Sequence, residues 1–184
     1  MASASWPEDL VLSTKIVIAG GCGVGKTTSV GAVSEIPPVR TEAWTTETAE
    51  RIDHPDPGAD KAMDFGRITI DESLVLYLLG TPGRPRCWPM WEDVCRGAVG
   101  VLVLVDTRRL DLSFAAVNYF EQDAGLPFVV CVNLFDGVLT HDLDEVRQAL
   151  RLAPTTPIVT CDARRSASVA QALLAVVDHA EWSL

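Results

Sequence analysis

The chain has 184 residues, of which 48% are hydrophobic and 22% charged, and its formal net charge is −10. These values fit one globular domain over residues 1–184, and the acidic balance argues against broad binding to the nucleic-acid backbone. The segment Met1–Thr14 lacks the features of a secretory signal, and the longest aliphatic run, Ala98–Val105, is too short to span a bilayer. The sequence therefore predicts a cytoplasmic protein that binds no nucleic acid and does not insert into a membrane.

Apolar runs typical of strands alternate with segments of helical periodicity. The predicted strands are Lys15–Ala19, Phe65–Ile70, Leu74–Leu79, Ala98–Val105, Phe128–Val132 and Ile158–Cys161. The predicted helices are Thr27–Glu35, Ser113–Asp123, Asp142–Leu152 and Ser166–Ala180. This succession predicts an α/β fold of three layers, in which a six-stranded, mostly parallel sheet carries helices on both faces. Residues 1–13 form an N-terminal extension, and the polar stretch 40–61 is a long loop of the kind that is functional or disordered.

A glycine-rich segment joins the first predicted strand to the first predicted helix. It reads Gly-Gly-Cys-Gly-Val-Gly-Lys-Thr and matches the phosphate-loop pattern G-x-x-x-x-G-K-[ST] at each fixed position. Glycines let backbone N–H groups approach phosphate oxygens, Lys26 is predicted to reach the β- and γ-phosphates, and Thr27 is predicted to ligate Mg²⁺. The pattern alone does not distinguish ATP from GTP. The predicted nucleotide-binding residues here are Gly20, Gly21, Cys22, Gly23, Val24, Gly25, Lys26, Thr27 and Thr28.

Cysteine usage is consistent with a reducing compartment. The five cysteines are an odd number and have no close metal-type spacing, and Cys131 and Cys161 lie in runs that predict strands. We interpret the cysteines as reduced and mostly structural. Cys22, inside the phosphate loop, is the candidate for oxidation or alkylation.

Several further segments share their pattern with a known family. They are Lys15–Gly21, Val33–Pro38, Ala62–Ile70, Gly80–Gly83, Val105–Arg109 and Asn133–Gly137. In these segments the chain resembles Ras-like small GTPases, and most closely the actinobacterial GTP-binding proteins encoded in conservon operons. The resemblance implies a Ras-like P-loop fold and a GTP-operated switch that binds Mg²⁺ with GTP or GDP. It also implies a roadblock-type small protein and a histidine-kinase-like complex as partners, and thus a place at the periphery of a membrane signalling complex.

The same resemblance assigns a loop that reads the base. Asp136 would accept hydrogen bonds from the N1–H and 2-amino groups of guanine, a pair of donors that adenine lacks. Leu134 stands where the common pattern has Lys, so part of the stacking on the base is absent. The alternative, an Asn-x-x-Asp in an ordinary surface turn, stays open. The residues that the resemblance assigns to the base side of the site are Asn133, Asp136, Asp162, Ala163 and Arg164.

The two switch-like segments depart from the family pattern. Aligned on Asp64–Phe65, the usual Mg²⁺-binding Thr is replaced by Asp60. Asp60 is either a further metal ligand, directly or through water, or a group that repels the γ-phosphate. Gly83 keeps the second-switch glycine, a predicted nucleotide contact, but Arg84 replaces the Gln that orients water. Gly80 belongs to the matching segment, and it stands where many Ras-like proteins have a metal-supporting Asp. Because arginine has no acceptor, Arg84 cannot hold a nucleophilic water as an amide does. We therefore expect a guanine-nucleotide-binding regulatory protein with weak or absent hydrolysis.

Two other functions remain open at this point. One is a GTPase that becomes active only when a partner supplies the missing groups in trans. Arg84 would then stabilise transition-state charge as an arginine finger does, or Arg84 and Arg86 are solvated arginines that offset an acidic surface. The other is a pseudo-GTPase scaffold that binds proteins and no nucleotide.

Aromatic residues beside the second switch-like segment have two possible roles. Trp88, Met90 and Trp91 form either the core face of a helix, together with Cys95, or a surface for a protein partner. Trp182, near the C-terminus, is expected to pack against the domain. The charged residues that follow the strand Ala98–Val105 are predicted to be structural; they are Asp106, Arg108 and Arg109.

Overall fold

A computed structural model of the chain describes residues 12–37, 39–42, 62–83, 89–122 and 124–182, without the side chains of 39–42, 62 and 89. Residues 12 and 13, predicted to belong to the N-terminal extension, lie in the first strand. Most of the 40–61 loop lies outside the described residues. Four residues that the sequence singled out also lie outside the described residues, namely Asp60, Arg84, Arg86 and Trp88.

The described residues form seven strands and five α-helices. The strands are β1 Leu12–Gly20, β2 Val39–Glu42, β3 Ala62–Thr69, β4 Leu74–Gly80, β5 Gly100–Val105, β6 Phe128–Asn133 and β7 Ile158–Cys161. The helices are α1 Lys26–Val33, α2 Pro89–Cys95, α3 Phe114–Gln122, α4 Leu143–Leu150 and α5 Ser166–Glu181. A 3₁₀ segment, Thr107–Ser113, leads from β5 into α3. Within this part of the chain, no helix combines the length and apolar content that a membrane-spanning segment needs.

One sheet contains all of these strands, in the order β2-β3-β4-β1-β5-β6-β7. Strand β3 runs antiparallel to β2 and β4, and the other neighbouring pairs are parallel. The predicted mostly parallel α/β fold is therefore confirmed, and each of the six predicted strands is present. The four-residue β2 adds an edge strand that pairs with β3 only.

The central strands are buried on both faces, which explains their continuous apolar sequences. In β1, Val17 and Ala19 pack into the core that contains residues of α2, α3 and α4. Ile16 and Ile18 point to the opposite face and pack with residues of α1 and α5. All four side chains are fully buried. Helices thus cover both faces of the sheet, giving the three layers expected.

The tryptophans beside the second switch-like segment and at the C-terminus differ in burial. Trp91 is 1% exposed, and its ring centroid lies 5.5 Å from that of Phe120 and 5.3 Å from that of Tyr119. It is a core residue, as is Cys95, so a partner surface that includes Trp91 is excluded. Trp182 is 90% exposed, and the expectation that it packs is wrong. Its position explains the difference, because Trp182 follows the end of α5 instead of lying on the buried face of that helix.

Candidate functional site

The candidate site lies where the parallel strands end. Strands β1, β5, β6 and β7 point in the same direction, so the segments that follow them meet at the carboxyl edge of the sheet. Ligands of open α/β sheets bind outside this edge. The phosphate loop follows β1 here, and the predicted base-side segments follow β6 and β7.

Glycines fix the path of the phosphate loop between β1 and α1. Gly20 has φ 135°, and a Cβ at this residue would lie 2.4 Å from the carbonyl oxygen of Leu104. Gly25 has φ 107°, and a Cβ there would lie 2.6 Å from Nδ2 of Asn133. Both the backbone conformation and the available space therefore require glycine. Helix α1 begins at Lys26, so its positive dipole end faces the loop.

Lys26 is folded beneath the loop that precedes it. Its Nζ donates hydrogen bonds to the carbonyl oxygens of Gly20, at 3.0 Å, and Gly21, at 2.5 Å, and the residue is 8% exposed. Burial lowers the pKa of Lys26 to about 8, although the charges of Cys22 and Asp64 act to raise it. The ammonium is thus a desolvated cation, which a phosphate anion at the loop would stabilise.

Asp64 on β3 contacts the predicted metal ligand. The hydroxyl of Thr27 donates a hydrogen bond to Oδ2 of Asp64 at 2.5 Å, and Asp64 is only 5% exposed. Asp64 could not be assigned to the site from the sequence, because its contact with Thr27 depends on strand pairing. In the described part of the chain, no three His, Cys, Asp or Glu residues cluster as a self-contained metal site.

The segment after β4 lies directly against the phosphate loop. A Cβ at Gly83 would lie 2.7 Å from the backbone nitrogen of Cys22 and 2.8 Å from the carbonyl carbon of Gly21. These close approaches require a residue without a side chain. The structure thus brings Gly83 next to the phosphate loop, while the neighbouring Arg84 lies outside the described residues.

Asn133 connects the two halves of the candidate site. Its Nδ2 donates to the carbonyl oxygen of Val24 at 2.9 Å, and its Oδ1 accepts from the backbone N–H of Ala163 at 3.1 Å. Asn133 is 6% exposed, so both bonds are buried. One side chain therefore holds the phosphate loop and the segment after β7 together at the end of β6.

Asp136 lies on the solvent side of this connection. Its φ of 60° is left-handed, a conformation that Asp tolerates better than most residues, and its side chain is 88% exposed. Arg164 is held by Asp162 through two hydrogen bonds of 2.9 Å, and this pairing lowers the pKa of Asp162 to about 2. A nitrogen of the same guanidinium lies 4.0 Å from Oδ1 of Asp136. The predicted base-side residues therefore lie close together, with the carboxylate of Asp136 open to a ligand.

A cation–π contact joins the 3₁₀ segment after β5 to the base-side loop after β6. The guanidinium carbon of Arg108 lies 3.6 Å from the ring centroid of Phe135. Asp106 accepts two hydrogen bonds of 2.9 Å from the same guanidinium and also caps the 3₁₀ segment through the N–H of Arg108. The hydrogen bonds from Arg108 lower the pKa of the Asp106 carboxyl. In these contacts Asp106 and Arg108 have the structural role that the sequence predicts for them.

Cysteine reactivity gives a test of this arrangement. Cys22 is exposed, whereas Cys95, Cys131 and Cys161 are buried, and none of the four is in a disulfide. We expect iodoacetamide to modify Cys22 in the native protein about tenfold or more faster than the three buried thiols, which react only after local opening. Peptide mass mapping measures the rate at each site. Cys22→Ala is the control, and equal rates at Cys22 and Cys131 would contradict the assignment.

The fold and the phosphate loop together define a P-loop protein with the fold of a G domain. The chain belongs to the family described as conserved hypothetical ATP binding protein, whose model matches residues 18–181. A comparison with curated proteins gives no match.

Solved structures of FeoB proteins have a similar fold. The G domain of the T. maritima FeoB iron transporter is 17% identical, with a TM-score of 0.62 over 92% of this chain and 99% of that one. A GDP-bound point mutant of S. thermophilus NFeoB is also 17% identical, with a TM-score of 0.64 over 93% of this chain. This chain spans only 62% of that longer NFeoB chain. At this level of identity, the likeness concerns the fold.

Proposed function

We propose that the protein is a guanine-nucleotide-binding regulatory protein of the small GTPase type, with weak or absent intrinsic hydrolysis. The observation that carries the proposal is the position of Asn133, whose amide bonds both Val24 of the phosphate loop and Ala163. A nucleotide whose phosphates lie at Lys26 would extend along the edge of the sheet towards Asn133, which bonds both the phosphate loop and the segment after β7. The exposed carboxylate of Asp136 is then within the segment that a base would contact.

The choice between guanine and adenine rests on Asp136. Its carboxylate only accepts hydrogen bonds, and guanine offers it two adjacent donors, the N1–H and the 2-amino group. Adenine offers an acceptor at N1 and no 2-amino group, so its lone pair would face a negative charge. This chemistry supports GTP and GDP as ligands, in contrast to the ATP in the family's description.

The residues around Thr27 fit a magnesium ion. Mg²⁺ prefers hard oxygen ligands and is commonly held by one or two protein groups together with phosphates. Here the chain offers the hydroxyl of Thr27 and, beside it, the carboxylate of Asp64. When bound, the ion would neutralise charge on the β- and γ-phosphates. Lys26 and the N-terminus of α1 would bind the same phosphates, and Asp60 remains a proposed additional ligand.

Slow or absent hydrolysis follows from the residue after Gly83. Arg84 stands where relatives place the water-orienting Gln, and its guanidinium has donors but no acceptor. Intrinsic hydrolysis in this class is slow even with the Gln, at roughly 10⁻⁴ to 10⁻² per second. We therefore propose that the protein acts by binding different partners in its GTP-bound and GDP-bound states.

The proposed partners follow from the sequence resemblance to conservon GTP-binding proteins. They are a roadblock-type small protein and a histidine-kinase-like complex. By binding that complex, this protein would be a cytoplasmic protein at the periphery of a membrane. Because Trp91 is buried in the core, it is not part of the surface that would contact them.

Nucleotide binding by the purified protein tests the proposal. We expect fluorescent GDP and a GTP analogue to bind with micromolar or tighter affinity in the presence of Mg²⁺, and ADP and an ATP analogue to bind far more weakly. Asp136→Ala should weaken guanine binding by about 10–100-fold, since each lost bond to a charged group is worth about 1.5–3 kcal/mol and water replaces part of it. The expected effect of the same change on adenine binding is small.

Two controls and two outcomes make this test decisive. Lys26→Ala should lose binding if the signal comes from the phosphate loop, and Asp93→Ala, on the exposed side of α2, should keep it. Adenine binding equal to or tighter than guanine binding would overturn the choice of base. Failure of the protein to bind either nucleotide would replace the proposal with a scaffold that contacts only proteins.

A further inference from the structure

The acidic group that many Ras-like proteins have at the end of β4 is missing from that strand. Gly80 occupies the position, so no side chain extends from it towards Thr27. A carboxylate is nevertheless present at Thr27, because Asp64 accepts the hydrogen bond of its hydroxyl at 2.5 Å. This carboxylate comes from β3, the strand beside β4.

Strand register explains how the two positions are related. Asp64 and Gly80 are direct partners in the antiparallel pair of β3 and β4. Side chains of directly opposite residues lie on the same face of the sheet. A Cβ at Gly80 would lie 3.0 Å from Cβ of Asp64 and 3.2 Å from its Oδ2. The side chain of Asp64 therefore occupies the space that a side chain at Gly80 would need.

The main obstacle to a side chain at Gly80 is this one neighbour. Gly80 is not among the residues with positive φ, so its backbone conformation is open to other amino acids. The three heavy atoms nearest to its added Cβ all belong to Asp64. One carboxylate can thus be accommodated, from either strand, but two would collide.

We propose that Asp64 supplies the acidic group of the Mg²⁺ site, so that the carboxylate has moved from β4 to the facing residue of β3. The inference rests on the proposed function, because it concerns Mg²⁺ bound with a nucleotide. The Thr27 hydroxyl donates its hydrogen bond to Asp64 and keeps oxygen lone pairs for the cation. The buried carboxylate holds that hydroxyl in place and balances the charge of the ion, as outer carboxylates do in other metal sites.

Substitutions that move the carboxylate back to β4 test the proposal. The variants are Asp64→Gly, Asp64→Asn and the double variant Asp64→Gly/Gly80→Asp. Release of fluorescent GDP is followed at increasing Mg²⁺ concentrations, and the readout is the Mg²⁺ concentration that gives half-maximal slowing of release. We expect Asp64→Gly to raise this concentration by about 10–100-fold, the usual cost of losing an outer-sphere partner.

The other two variants separate a role in metal binding from a structural one. Asp64→Asn can still accept from Thr27 but carries no charge, so it should resemble Asp64→Gly in its Mg²⁺ requirement. The double variant should recover most of the wild-type requirement, because the carboxylate returns to the same space. Thermal unfolding without metal identifies any variant that fails to fold. If Asp64→Gly or the double variant fails, the Mg²⁺ requirement of Asp64→Asn decides whether the charge of Asp64 is needed.

The outcomes distinguish this inference from the proposed function. A wild-type requirement for Mg²⁺ in Asp64→Asn would overturn the inference and leave a structural cap on Thr27. So would a folded double variant that stays as defective as Asp64→Gly. If the wild-type protein bound no guanine nucleotide at all, the proposed function itself would fail.

Discussion

Replacing Asn133 with Ala is expected to reduce the free energy of unfolding by about 1–3 kcal/mol for each backbone group that loses its partner. Two such groups are involved, the carbonyl of Val24 and the N–H of Ala163, and both bonds are buried. The same change frees the phosphate loop from the segment after β7. Urea denaturation of the ligand-free protein measures the stability loss, and we expect GDP affinity to fall as well.

A matched control shows whether the effect belongs to these bonds. Asn118 lies on the exposed side of α3, and Asn118→Ala should change the free energy of unfolding by less than about 0.5 kcal/mol. If Asn133→Ala were as mild as Asn118→Ala, then Asn133 would not join the two halves of the site energetically. Its two hydrogen bonds would then be only a consequence of the surrounding fold.

Trp91→Ala should be the most destabilising single change among the aromatic residues discussed. Trp91 is 1% exposed and stacks on Phe120 at an interplanar angle of 11°. Its removal leaves a large cavity between α2 and α3, for which a loss of about 3–5 kcal/mol is typical. Since domains are stable by only about 5–15 kcal/mol, we expect a clear fall in both the melting temperature and the urea midpoint.

Trp182 provides the comparison for this prediction. It is 90% exposed at the end of α5, so Trp182→Ala should alter stability by less than about 0.5 kcal/mol. Near-ultraviolet circular dichroism offers a second readout. Trp91 is buried and has a fixed aromatic environment, whereas Trp182 is exposed, so only Trp91→Ala should change the spectrum. A stable, native-like Trp91→Ala protein would show that α2 contributes little to the core.

The fold was predictable for the strands that are buried on both faces of the sheet, because such strands have continuous apolar sequences. Strands β5 and β6 are uninterrupted apolar runs, and both appear within two residues of their predicted bounds. Strand β2 was missed because Val39–Glu42 is short, largely polar and paired on one side only. Helix α1 ends at Val33, two residues early, because Ser34 uses its hydroxyl to bond the backbone of Ile36 and Arg67.

The candidate site was predictable to the extent that it consists of contiguous motifs. The phosphate loop is one unbroken segment, and the structure places Asn133 and Ala163 against it, as their order in the chain predicts. Asp64 could not be found in this way. Its contact with Thr27 requires the register that sets it opposite Gly80, and no local pattern reveals which residues of two strands face each other.

The direction of the strands also divides the molecule into two ends with different tolerance for change. The turn before β6 lies at the amino end of the sheet, away from the phosphate loop. Gly125 in this turn is exposed, and because its φ of 58° favours glycine, residues would be inserted beside it and not in its place. Such a turn accepts inserted residues better than a packed segment does. A short tag or dye-labelling sequence placed there would let the protein be immobilised or tracked while the carboxyl edge of the sheet, with the candidate site, stays uncovered.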